Sequence, residues 1–299
     1  MTTITIAIAS SGRRMLVRCL TSLAALELPA ETIVDIVIAD DSLQGLAAGL
    51  VAEALPLPYP VRIVPTAARN VSVARNACID AATGELIAFV DDDEWVEPDW
   101  LVRMLAAMRE FSADCVFGPV HPVYPVGTAD WIVRANPLHV DWGRRGRKVT
   151  LGRGGNALLR QALVKAAGLR FDPALGRTGG EDTSFFHALG QSGAVMVVTD
   201  DAMVHEDAPP ARVNVAYFRQ RALRTGQIYA RFIVSGLGNS LLARAKFYAG
   251  AALKAGVALT IGTLAYPFDK ALWLRFAMRG WMNVGKLREL LRLEPSHMS

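Results

Sequence analysis

Residues 86–100 read LIAFVDDDEWVEPDW, so five apolar residues run straight into three aspartates and a glutamate. Side chains alternate along a strand, which sends Asp91 and Asp93 one way and Asp92 the other. Two carboxylates on one side of a strand end make an all-oxygen site. Such a site suits Mg²⁺ or Mn²⁺, with positions left over for water and substrate phosphates. A solvated turn before the helix that opens near Pro98 is the plainer use of the same residues. A second acidic pair, Glu181 and Asp182, follows two glycines in GGEDTSFFHAL. A carboxylate there can accept a proton from a hydroxyl. Equally, it can serve as an ordinary acid at a helix N-terminus. His205, in DDAMVHED, follows a strand-like run and is either a third ligand or a hydrogen-bonded structural residue. As a ligand it would favour Mn²⁺ over Mg²⁺.

These groups need a scaffold. Apolar runs predict strands at 4–9, 33–39, 61–64 and 86–90, and helical periodicity predicts helices near 14–26, 43–54 and 71–82. Strands separated by helices of this length predict βαβ units and a parallel sheet, with ligands beyond the carboxyl ends of the strands. Those ends read SSGRR at 10–14, DDS at 40–42 and DDDE at 91–94. A mixed region follows, with strands near 114–120 and 194–199 and a helix at 179–189. Between them WGRRGRKVTLGRGGN is too basic and glycine-rich to read as core, and it predicts a mobile lid over 143–155. Trp131 and Trp142 flank that loop, as candidates to stack on a flat ligand face or to pack in an interface or the core. Arg144, Arg145, Arg147, Lys148 and Arg153 are candidates to meet an anionic ligand.

The chain has 299 residues, 52% of them hydrophobic, a net charge of +4 and a mean hydropathy of +0.26. Residues 241–299 hold nine Lys and Arg against three Asp and Glu, which leaves the rest slightly acidic at 23 against 25. That placement argues against nucleic acid and for an anionic surface under the C-terminus. Residues 247–268 are Ala/Gly-rich with one lysine, marginal for a membrane span. Residues 270–292 mix Leu272, Trp273, Phe276 and Leu287 with Lys270, Arg275, Arg279 and Lys286, which suits a helix lying in a bilayer interface. The start, MTTITIAIAS, reads as a strand and not as a signal peptide. Cys19, Cys78 and Cys115 have no metal-ligand spacing and read as reduced core residues.

Several stretches resemble glycosyltransferase family 2, whose members have the GT-A nucleotide-diphospho-sugar fold. They are IADDS at 38–42, NVSVARNACIDAATGELIAFVDDDEWVEPDWL at 70–101, GGNALLR at 154–160 and FDPALGRTGGEDTSFFHAL at 171–189. Within the family the overall look is nearest to bacterial enzymes that build exopolysaccharide repeat units on a lipid carrier. The resemblance implies a Rossmann-like α/β mixed sheet flanked by helices, with C-terminal amphipathic, membrane-associated helices. It implies a catalytic domain over 1–235, with a nucleotide-sugar half (1–120) and an acceptor half (121–235), and a helical membrane-association region over 241–293.

The resemblance also implies roles. Ala9 and Ser10 would cradle the nucleotide, Asp40 would contact the base and Arg75 would face the nucleotide. In the family's Asp-x-Asp motif, Asp93 would be the principal ligand of Mn²⁺ or Mg²⁺, Asp91 would touch ribose or metal, and Asp92 would add to the donor site. His205 would be the third ligand. Asp182, beside Glu181, would be the general base of an inverting transfer. Arg221 and Arg224, in QRALRT, would grip the diphosphate of a UDP- or GDP-sugar. Processive members have a tryptophan where Thr225 stands, so one sugar added per acceptor is expected. The implied acceptor is a polyprenyl-diphosphate-linked saccharide, and the implied place is the cytoplasmic face of the bacterial inner membrane, peripheral or monotopic. Two alternatives stay open: a sugar-nucleotide nucleotidyltransferase, although SSGRR has too few glycines for its loop, and a non-catalytic nucleotide-sugar- or lipid-binding module.

Overall fold

The computed structural model describes residues 1–54, 56–140 and 142–291. Residues 292 and 293 of the predicted membrane-association region lie outside them. Strands β1 (Thr2–Ser10), β2 (Thr32–Asp40), β3 (Val61–Pro65) and β4 (Leu86–Val90) alternate with helices α1 (Met15–Ala24), α2 (Ala47–Ala54) and α3 (Val71–Ala81). The chain continues through β5 (Glu94–Val96), α4 (Trp100–Glu110), β6 (Cys115–Phe117), β7 (Val120–Val123) and α5 (Asp130–Ala135). Next come β8 (Asn156–Arg160), α6 (Gln161–Ala166), α7 (Glu181–Gln191), β9 (Met196–Val198) and β10 (Val204–Asp207). Three long helices close it: α8 (Val215–Gly236), α9 (Leu241–Ala265) and α10 (Lys270–Leu290).

Seven strands form one sheet in the order β3-β2-β1-β4-β8-β6-β9. The sheet is parallel except at β8, which runs against both its neighbours. A small sheet has the order β5-β10-β7. The chain divides into two compact units, one of residues Met1–His121 and Val140–Glu206, the other of Pro122–His139 and the chain from Asp207. This cut differs from the sequence division in that α8 falls in the second unit, where it packs along the last helix.

In the first unit the sheet is covered on both faces, which is why β4 reads LIAFV, apolar throughout, and why β1 and β2 are mostly buried. Ile4, Ile6 and Ile8 of β1 pack with Leu16 and Leu20 of α1 and with Trp100 and Met104 of α4. On the other face, Ala7 and Val37 pack with Cys78 of α3 and Phe185 and Phe186 of α7. The three cysteines are free and buried, as read from their apolar surroundings.

The lid expected over 143–155 is instead bound to the sheet. Gly146 N donates to Val198 O at 2.8 Å, Val198 N to Arg147 O at 3.1 Å and Val149 N to Met196 O at 3.0 Å. A Cβ on Gly152 would stand 2.2 Å from Phe117, so the segment's glycines permit close packing where hinges were expected. Arg145 donates to Glu110, Thr199 and Asp201. Trp142 lies against Phe117, with ring centroids 5.4 Å apart, and so packs in the core.

In the second unit α10 packs along both α8 and α9. Small residues bring the backbones close: a Cβ on Gly226 of α8 would stand 1.8 Å from the carbonyl oxygen of Met282. Trp131 of α5 packs on Trp273 of α10, centroids 6.0 Å apart.

Candidate active site

The carboxyl ends of β1, β2 and β4 carry the polar residues, because the apolar strands stop there together. Ser10 and Asp40 are register partners at the ends of β1 and β2. Beyond β4, Asp92 is fully buried and faces inward. It accepts a hydrogen bond from Ser10 Oγ at 2.7 Å, and it pairs with Arg13. Arg13 reaches across to Asp93 as well, at 2.6 Å. In the turn after β4 Asp92 thus points inward, where it holds Ser10 and, together with Asp93, Arg13.

A cleft of about 520 Å³ opens at these strand ends, lined in part by Ala9, Ser10, Arg13, Asp41 and Asn70. Ala9 and Ser10, which the resemblance assigns to the nucleotide, thus line an open cleft. Asp40 is not among the lining residues. Its carboxylate accepts from Ser42 N, Ser42 Oγ and Ala47 N, which closes the turn into α2 and caps that helix. Its neighbour Asp41 faces the cleft and accepts from Thr66 Oγ1, Ala68 N and Asn70 N. Two adjacent aspartates after a strand cannot point the same way, and only the local turn decides which one points in.

Arg75 does not line the cleft either. It is buried under it, with Nη2 on Asp91 Oδ1 at 2.9 Å and Nη1 on Glu181 Oε1 at 2.8 Å. Burial opposes its charge, but Asp91 and Glu181 more than offset this, and its pKa is raised. The guanidinium has room because residue 154 is glycine: a Cβ there would stand 2.8 Å from Arg75 Cζ. Gly155 serves the acids in the same way, since its Cβ would stand 2.5 Å from Glu94 Oε1.

Glu181 and Asp182 open α7, where Gly179 and Gly180 hold φ of 81° and 97°, a conformation that side chains resist. Glu181 is committed to Arg75. Burial, then the charge of Asp182, push its pKa up. Asp182 accepts from Thr183 N at 2.6 Å.

His205 does not join the acids. Its Nε2 is 2.6 Å from Glu97, and its ring stacks on Trp95 at 5.5 Å. The pairing of β10 with β5 explains this, because His205 sits opposite Trp95 while Glu206 sits opposite Glu94. Adjacent residues of a strand face opposite ways. Glu206 is thus the side chain of β10 whose charge reaches Asp93 and Glu94. Sequence reasoning singled out neither Glu206 nor Arg13. The alternation His-Glu on a short strand was the available signal for Glu206. Arg221 and Arg224 lie on α8, in the other unit.

The acids crowd one another. Burial, then the charge of Asp91, raise the pKa of Asp93 to about 6. The same causes push that of Glu94 well up. Among the described residues no three acidic, histidine or cysteine side chains are gathered closely enough to hold an ion by themselves. The donor set is nonetheless all oxygen, and its acids outnumber Arg13 and Arg75, which fits a hard divalent cation that takes one or two carboxylates and draws its remaining oxygens from a diphosphate and water.

A stability prediction follows from Asp93. Its carboxyl keeps a proton in the folded state that the unfolded chain has already lost. Its contribution is therefore full below about pH 3.8 and disappears as pH rises through about 6. With a chelator present, Asp93→Asn should stabilise the fold at pH 7.5, by at most roughly 3 kcal/mol, and much less at pH 4.5. Denaturant titrations at the two pH values measure this.

The comparisons with known proteins agree with the geometry. A model described as "Glycosyl transferase family 2" matches residues 5–168. The chain is 34% identical over 295 residues to the succinoglycan biosynthesis protein ExoM of Rhizobium meliloti (strain 1021), covering 97% of this chain and 94% of that one. It is 31% identical over 72 residues to the putative glycosyltransferase EpsH of Bacillus subtilis (strain 168), which covers 24% of this chain and 21% of the other. Among solved structures, S. aureus TarS 1–349 in complex with UDP-GlcNAc aligns with a TM-score of 0.56 and 14% identity, over 98% of this chain and 92% of that one. The complex of the same protein with UDP aligns at 0.54 and 16%, over 98% and 91%. Those likenesses concern the fold. On the family match and the near full-length relative, the chain is a glycosyltransferase and belongs to glycosyltransferase family 2.

Proposed function

We propose that the protein is an inverting glycosyltransferase of bacterial exopolysaccharide synthesis. It moves one hexose from a UDP- or GDP-sugar to a hydroxyl of a polyprenyl-diphosphate-linked saccharide, at the cytoplasmic face of the inner membrane. The relative ExoM, named for succinoglycan biosynthesis, supports the pathway class. The neighbour TarS, solved with UDP and UDP-GlcNAc, supports the donor class. The observation that carries the reading is the buried Asp91–Arg75–Glu181 bridge. It ties the acidic end of β4, beside the cleft, to the start of α7, where Asp182 stands.

In this reading the acceptor oxygen forms a bond to the anomeric carbon while the bond from that carbon to the diphosphate breaks. Asp182 takes the acceptor's proton, and the nucleoside diphosphate leaves on the other side of the sugar, toward Asp91 and Asp93. A bound Mg²⁺ or Mn²⁺ on Asp93 and Asp91 would offset the charge on the departing diphosphate. Asp41 and Asn70 meet the nucleoside in the cleft, and Arg13 meets its phosphates.

The test is a panel of UDP- and GDP-sugars incubated with Mn²⁺ and a lipid-linked saccharide acceptor, with the anomeric configuration of the product read by NMR. One donor should give a product of inverted configuration. Retention of configuration, or no turnover and no thermal stabilisation by any donor, overturns the reading.

A further inference from the structure

Helix α9 is long and apolar enough to cross a membrane, yet little of it is buried. Its buried face consists of small residues, Ala251, Ala255, Ala258 and Gly262. Leu253, Val257, Ile261 and Leu264 stand exposed, spaced four, four and three residues apart. That spacing keeps them on one side of a helix. Phe268, in the turn that follows, is 91% exposed and lies four residues further on. An open apolar stripe of this length is unusual on a protein surface and marks a place of contact.

We infer that this stripe lies flat in the interface of an anionic lipid bilayer and that α9 does not cross the membrane. Charge selects the occupant. Helix α9 has no acidic residue. Lys246 stands two turns before Leu253 on the same side, Lys254 borders the stripe, and Lys270 follows Phe268, all of them exposed. Bases at both ends of an apolar stripe match lipid acyl chains framed by anionic headgroups.

The packing of α10 argues against a crossing. The two helices run antiparallel along their lengths. A Cβ on Gly262 would meet Phe276 at 3.3 Å, and one on Gly280 would meet Leu259 at 2.6 Å. Wherever α9 goes, α10 goes beside it, carrying Arg275, Arg279 and Lys286. At the turn, Arg134 of α5 pairs with Asp269 at 3.4 Å, and Arg275 donates to the carbonyl of Arg134. A crossing would draw these charges into hydrocarbon, where each is costly. A stripe lying along the surface leaves all of them in water.

The inference goes beyond the proposed activity and is tested apart from it. The full chain is mixed with vesicles of 70% phosphatidylcholine and 30% phosphatidylglycerol, or of phosphatidylcholine alone, and floated on a density gradient. It should bind the anionic vesicles at least tenfold more tightly, and 0.5 M salt should abolish the difference. The double variant Val257→Gln/Ile261→Gln should bind at least tenfold more weakly, with unchanged circular dichroism and unchanged donor turnover in detergent. Single cysteines placed at 253, 257, 261 and 264 then carry an environment-sensitive dye, quenched by lipids spin-labelled at known depths. The native cysteines are buried and stay unlabelled. Equal, shallow depths at all four positions are the expected result. Depths that change steadily along the helix would mean a crossing and overturn the inference. So would failure to bind vesicles, or a concentration-dependent dimer that Ile261→Gln dissolves. Donor turnover in the same preparations reads the proposed activity whichever outcome appears.

Discussion

Arg75→Met should leave a protein that folds poorly and turns over its donor at least 100-fold more slowly. The arginine is 7% exposed and bridges two carboxylates that, among the described residues, have no second cationic partner. Removing one member of a buried ion pair strands the other, which costs roughly 3–5 kcal/mol. Here it strands Glu181, which is 10% exposed, whereas Asp91, at 36%, can take up water. Denaturant titration measures the first effect. Arg75→Lys should recover part of the stability and little of the rate, because an ammonium group has no planar fork to hold Asp91 and Glu181 at once. The pair Arg75→Met/Glu181→Gln should be more stable than Arg75→Met alone, since it removes one stranded charge. Nucleotide binding should change little in all three, because Arg75 does not line the cleft. A loss of nucleotide affinity of tenfold or more would return Arg75 to the role the family resemblance implies.

The second large effect concerns Asp182 and Asp93. Asp182→Asn removes the proton acceptor and keeps the shape, so the transfer rate should fall by about 10²–10⁴. Calorimetric titration with UDP and GDP in Mn²⁺ should give the same affinity as the unaltered protein. Asp93→Ala should abolish transfer as well, and should also remove the Mn²⁺ dependence of nucleotide binding. Identical losses in the two variants would undo the division of labour between β4 and α7.

Much of this arrangement is legible in the sequence, and the failures have physical causes. Strands β1, β2 and β4 announce themselves because both faces are covered, which leaves mainly apolar runs that end abruptly, in SSGRR after β1 and in acids after β2 and β4. The pairing of GGED with a helix start is legible for the same reason, since glycines and acids belong at that terminus. Direction within a turn is not legible. Asp40 and Asp41 are equivalent in sequence, and hydrogen bonds from Ser42 and Ala47 decide between them. Register is not legible either. Glu206 approaches the acids, and His205 does not, only because of how β10 pairs with β5. The basic loop at 143–155 misleads because composition reports what a segment can solvate, whereas its backbone is hydrogen-bonded along β9. Strand β8 escapes a periodicity search because it is five residues long and reads NALLR.

The reversed strand β8 sets the order in which the enzyme can assemble. Strand β4 stays open along one edge until residues 156–160 leave the ribosome, and Arg75 waits for Glu181, 106 residues downstream. Contacts this distant form late and slowly. The cleft, by contrast, is lined by residues before position 75. The residues that line the cleft thus leave the ribosome well before Glu181 and Asp182 do, and a stall between these points would expose a bare strand edge to aggregation.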